Sequence, residues 1–156
     1  MLYLLSILTY IHFPISFIKA LPCVVLFLET KNIAFLFAAF GDYFLDQDML
    51  LPGLFSFGVS NMILFPPKPL EMFVMIPFIV VQPVIFYTFG MLGFIVDVYV
   101  FTLLNMLSRK TVPTTLFIIS DIFVLLQFLG LKVSFISLPL YWFSMRWFSE
   151  KIDKIS

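Results

Sequence analysis

Short polar breaks divide a chain that is otherwise almost continuously apolar. In lipid every backbone N–H and C=O needs an internal partner, so apolar runs of this kind fold as helices. The breaks fall near Lys19, at Glu29-Thr30-Lys31-Asn32, at Asp46-Gln47-Asp48, at Pro66-Pro67-Lys68-Pro69, near Gly90, at Ser108-Arg109-Lys110 and near Gly130-Leu131-Lys132. They delimit eight segments, about 2–18, 20–29, 33–45, 49–65, 70–88, 90–107, 112–129 and 133–149. The pattern predicts an all-α, polytopic transmembrane helix bundle of about eight short helices, forming a single transmembrane domain over residues 1–156. Seven is the alternative count, because the second and third segments fall short of a full span.

Composition places the chain in the bilayer. Of its 156 residues, 62% are hydrophobic and only 12% are charged. A soluble domain is about 25% charged, and so few charges do not coat a globule of this size. The 9 basic and 9 acidic residues balance, which leaves no basic surface for nucleic acid. Cys23 is the sole cysteine, so no intramolecular disulfide forms. The N-terminal segment MLYLLSILTYIHF has no basic n-region and no small-residue cleavage site, and reads as a retained helix.

The placement of basic residues sets the expected orientation. With eight spans, one side of the membrane receives Lys31, Lys68, Arg109, Lys110, Arg146, Lys151 and Lys154, and the other receives Lys19 and Lys132. The positive-inside rule then puts both termini in the cytoplasm. An internal membrane such as the endoplasmic reticulum is expected for a eukaryotic chain, and the inner membrane for a bacterial one.

Three carboxylates fall inside predicted spans: Asp42, Asp97 and Asp121. Each costs about 2.5–3.5 kcal/mol at a helix centre, so such groups face the bundle interior and find partners. In the eight-helix path the third and seventh segments run outward and the sixth inward. That path places Asp97 and Asp121 near mid-depth, with Asp42 toward the outer side. A shared polar cavity is one reading, and hydrogen bonding between packed helices is the plainer one. Lys19 either snorkels to the interface or reaches an aspartate or a lipid phosphate. His12 reads as a packing or interface residue, Tyr141 and Trp142 as packing residues with pocket lining the alternative, and Gly41 as a point of close helix approach. No metal-ligand spacing, phosphate-binding loop or Ser-His-Asp pattern is present, so no cofactor is expected.

The order of several short motifs adds a family resemblance. Lys19 opens KALP; FGDYFLDQDMLLPGLFSFGVSNMILF runs from Phe40 to Phe65; VDVYV spans Val96 to Val100; LFIISDIFVLLQF spans Leu116 to Phe128; and LYWF spans Leu140 to Phe143. This succession resembles the lysoplasmalogenase (YhhN-like) family of multispanning membrane proteins, over nearly the whole chain. By position, Asp42 and Asp121 match the two family aspartates, and Lys19, Tyr99 and Ser120 also match. Asn61 stands at the family histidine, Leu64 at a tyrosine and Ser144 or Met145 at a glutamine. Asp97 replaces a smaller residue.

The resemblance implies cleavage of the vinyl ether bond of a lysoplasmalogen to a fatty aldehyde and a glycerophospho-base. It casts Asp42 and Asp121 as catalytic groups, and Lys19, Tyr99, Ser120 and, at the histidine position, Asn61 as substrate-binding groups. Asp97, as an embedded carboxylate, and Tyr141, as a candidate pocket residue, are added to that set from the chain itself. A lysophospholipid substrate and the bilayer are the implied partners. The chemistry suits two carboxyls: one donates a proton to the alkene carbon, and the other stabilises the oxocarbenium-like cation or activates water. A non-catalytic family member and a small lipid or solute transporter are the alternatives.

Overall fold

A computed structural model of the chain describes residues 1–67, 69–109, 111–128 and 134–152. These residues form seven helices and no strand: α1 (Leu2–His12), α2 (Ser16–Thr30), α3 (Ile33–Asp46), α4 (Leu50–Leu64), α5 (Pro69–Leu107), α6 (Val112–Phe128) and α7 (Ser134–Ile152). The fifth is two helical arms joined at Gly90, where φ 67 and ψ −155 interrupt the helix. Glycine is tolerated there because that backbone region is closed to side chains with a Cβ. The break expected near Gly90 is therefore present. Lys68, Lys110, Lys132 and Lys154, which entered the charge count, and the break at Gly130-Leu131-Lys132 lie outside the described residues.

The first two segments are drawn differently from the sequence expectation. Segment 2–18 ends at His12, and α2 begins at Ser16, so Lys19 lies inside a helix rather than between two. Pro14 is the cause: it disfavours helical geometry at the residue before it, and Phe13 sits at φ −130. The second segment gains what the first loses and becomes a helix of 15 residues.

Tight turns set the pairing of neighbours. Lys31 takes a left-handed conformation (φ 57) after α2, and the Asn32 side chain accepts a hydrogen bond from Ala34 N at 2.9 Å to cap α3. The α2–α3 hairpin that results is antiparallel. Cys23 meets Asp42, and four residues back along α2 Lys19 meets Asp46, four residues on along α3. The same counter-running register joins α3 to α4. A Cβ on Gly41 would come 2.7 Å from the Phe57 ring, and one on Gly53 would come 2.5 Å from Leu45 Cδ2. Glycine at both positions lets the two backbones approach closely.

Hydrogen bonds fix the course of α5. Gln82 Nε2 donates to Asp97 Oδ2 across a separation of 15 residues. A straight helix would hold these residues about 22 Å apart at 1.5 Å per residue. The chain therefore doubles back at Gly90, and a Cβ on Gly93 would come 3.1 Å from Ile85 Cγ2 as the arms cross closely. Beside α4 the arm 91–107 runs parallel. Asn61 Nδ2 donates to Thr102 Oγ1 at 3.3 Å, and about one turn further along both helices Asn105 Nδ2 donates to the Phe65 carbonyl. That carbonyl lies past the end of α4, and Asn105 supplies a partner from another helix.

The helices group into two compact units, Met1–Asn105 and Met106–Ser156. In the second, α6 and α7 pack through Ser120 Oγ, which donates to the Ser137 carbonyl at 2.9 Å, and through Phe117, whose ring makes tilted contacts with Tyr141 and Phe148.

Large apolar side chains lie outside as well as in the core, and several small polar residues are buried with the apolar ones. In α1 the leucines at 2, 4, 5 and 8 and Ile11 are exposed, whereas Tyr3 and Ser6 are buried. Along α5, Ile79, Val80, Val84, Phe86 and Tyr87 are exposed, whereas Thr102 and Asn105 are buried. The stretch Ile79–Leu107 is long and apolar enough to cross a membrane, by length and composition.

Candidate functional site

Several hydroxyls among the described residues are occupied by their own helix. Thr9, Thr30, Thr88 and Ser144 each donate to the carbonyl four residues back, and Ser6, Thr102 and Ser149 to the one three residues back. His12 Nδ1 likewise hydrogen-bonds the Leu8 carbonyl at 2.9 Å, in keeping with a local role. Other polar groups reach between helices, and these define the candidate site.

The densest group lies in the α2–α3 hairpin. Asp42 is 5% exposed, and its Oδ2 accepts a hydrogen bond from the Cys23 thiol at 3.5 Å. One turn away, Lys19 Nζ pairs with Asp46 Oδ1 at 3.3 Å. Tyr10 of α1 lies in the electrostatic field of Lys19, Asp46 and Asp42. Phe57 of α4 packs its ring against Gly41, the residue before Asp42. The arrangement is a carboxyl out of water, held by a thiol, one turn from a half-buried ion pair.

Lys19 does reach an aspartate, and that aspartate is Asp46. The sequence reading treated Asp46 as part of a loop break, and α3 extends through it. The signal was present in two i, i+4 pairs, Lys19 with Cys23 and Asp42 with Asp46. Such pairs lie on one helix face, so two antiparallel faces bring four side chains together. Cys23 and Tyr10 were also missed, because neither stands out in an apolar chain.

The other expected residues fall into separate groups. Asn61 and Tyr99 lie together: Thr102 Oγ1 accepts from Asn61 and donates to the Tyr99 carbonyl at 2.7 Å. Asn61 is fully buried, so its amide serves the contact between α4 and the arm 91–107. Asp97 is bound to Gln82 within the α5 hairpin. Asp121, Ser120 and Tyr141 belong to the second unit, where Ser120 and Tyr141 are buried between α6 and α7 and Asp121 is half-buried. Among the described residues no group of three metal-ligating side chains comes together.

No protein-family model matches the chain, and no curated protein and no solved structure matches it.

Proposed function

We propose that the chain is a multi-pass membrane protein with both termini cytoplasmic, and that it hydrolyses the vinyl ether bond of a lysoplasmalogen. The membrane part of this reading is supported by the many large apolar residues that face outward, while serine, threonine, asparagine and Asp42 are buried with the apolar core. The opposed courses of α2 and α3, α3 and α4, and the two arms of α5 suit a chain that crosses back and forth. At 11 to 15 residues, α1 to α4 measure roughly 16–22 Å, short of a hydrocarbon core of about 30 Å. Exposed Phe13, Ile15 and Met49 in the turns extend the apolar surface, and local thinning of the bilayer covers the remainder.

The observation that carries the catalytic part is the burial of Asp42 in a lipid-facing bundle. A carboxyl held between packed helices beside an apolar surface can meet the alkene of a lipid substrate with little water present, as proton transfer to carbon requires. In this reading the carboxyl proton goes to the alkene carbon of the vinyl ether, and water adds to the oxocarbenium carbon and returns a proton to a carboxylate. The hemiacetal then collapses by C–O cleavage, its hydroxyl proton passing to the departing oxygen, to aldehyde and glycerol hydroxyl. Asp121 is the second carboxyl by resemblance. Lys19, partly exposed beside the site, suits the substrate phosphate, and the exposed phenylalanines and leucines suit its alkenyl chain.

The test is aldehyde release from lysoplasmenylethanolamine by the purified protein in detergent, for wild type, Asp42→Asn and Asp121→Asn. Release by wild type and its loss in both variants is expected. A folded wild type that releases no aldehyde overturns the hydrolase reading. Release that survives both substitutions overturns the residue roles.

A further inference from the structure

Asp42 is the buried carboxyl on which the proposed reaction depends, and its immediate partner is a group that no step of that reaction uses. Cys23 is completely buried, is not in a disulfide, and directs its thiol to Asp42 Oδ2 at 3.5 Å. Two features of the packing hold this contact in place. The α2–α3 register is fixed on one side by the Lys31–Asn32 turn and on the other by the Lys19–Asp46 pair. Leu26, Ala34, Phe35 and Ala38, all fully buried, fill the interface toward the turn. A thiol in this place is neither exposed for exchange chemistry nor set beside a second cysteine. What remains to it is the weak S–H donor capacity of a small, otherwise apolar side chain.

We infer that Cys23 is a positioning residue for Asp42: its S–H holds one carboxylate oxygen in a fixed orientation in the α2–α3 interface, and it senses the charge state of that carboxyl. The inference rests on the proposed role of Asp42, but the contact itself stands apart from any activity. Titratable and charged groups near Asp42 among the described residues include Cys23 of α2, which meets it directly, Tyr10 of α1, on which the Asp42 charge acts, and the Lys19–Asp46 pair of α2 and α3 one turn away. The sequence of α4, LLPGLFSFGVSNMIL, supplies none. The Cys23 thiol donates to Oδ2. An S–H donor stabilises the ionised carboxyl less than a hydroxyl would. It orients Asp42 while leaving it able to hold a proton.

Because Cys23 is the only cysteine in the chain, the S–H stretching band in the infrared spectrum of the intact protein reports this one thiol. Cys23→Ala identifies the band by its disappearance. In wild type the band shifts with pH in a single step as Asp42 changes charge. In Asp42→Leu it moves to higher wavenumber, the position of an unbonded thiol, and no longer responds to pH. A band unmoved by Asp42→Leu in a protein that keeps its helical circular dichroism overturns the inference. Activity gives the second readout. Cys23→Ala lowers the rate of aldehyde release about fivefold, the worth of one net hydrogen bond, and Cys23→Ser restores the rate while displacing its pH profile to lower pH. Equal rates and profiles for all three proteins overturn the positioning role. If wild type releases no aldehyde and the band still follows Asp42, the hydrolase reading fails and the Cys23–Asp42 coupling stands.

Discussion

Lys19 and Asp46 face each other at 3.3 Å across the α2–α3 hairpin, one helical turn toward its open end from Cys23 and Asp42. Both side chains are largely shielded, at 20% and 27% exposure. Removing one partner leaves a charge poorly solvated, whereas removing both leaves none. Lys19→Met is expected to lower stability by roughly 1–3 kcal/mol, and Lys19→Met with Asp46→Leu to recover most of that loss. A double-mutant cycle on unfolding in detergent checks this. Losses that simply add would show that the pair has no energetic coupling.

Gly41 and Gly53 both open α3 and α4 to each other, but they should differ in cost. A methyl on Gly41 meets three atoms of the Phe57 ring at 2.7 to 2.9 Å, and a ring in a packed interface has little room to move. A methyl on Gly53 meets mainly the far end of the Leu45 side chain, which can change rotamer. Gly41→Ala is expected to cost about 1–3 kcal/mol, the range for overpacking a filled core, and Gly53→Ala clearly less. Thermal unfolding of the two variants decides it, and the reverse order would contradict the packing described.

Gly90 has no neighbour that a Cβ would touch, so its substitution isolates the backbone cost. With φ 67 and ψ −155, Gly90→Ala is expected to destabilise the α5 hairpin by about 1–3 kcal/mol. The hairpin also predicts sidedness. In a Cys23→Ala background, Pro67→Cys and Ser108→Cys should react with a membrane-impermeant thiol reagent from the same side of the membrane. Labelling from opposite sides would mean that the stretch crosses once, as a straight helix of that length would.

The α-helical class and most helix boundaries were legible in the sequence, since they follow from local chemistry. Gly90 stands where the backbone turns through a conformation that favours glycine, and Asn32 stands where α3 needs a cap. The boundary error at residues 13–15 came from weighting Lys19, a charge, above Pro14, a steric block. The charge residue then had to be placed in a loop, which hid its partner.

What the sequence by itself determined was a chain of short apolar helices with a few carboxyls inside them, because composition and the backbone's need for internal hydrogen bonds act residue by residue. What only the tertiary structure decided was which groups meet: Lys19 with Asp46, Cys23 with Asp42, Gln82 with Asp97 and Asn61 with Thr102. Those pairings depend on the register of helices against one another. Register is set by turn geometry and by where glycine lets two backbones close, and a shift of one residue rotates a side chain about 100° away from its partner.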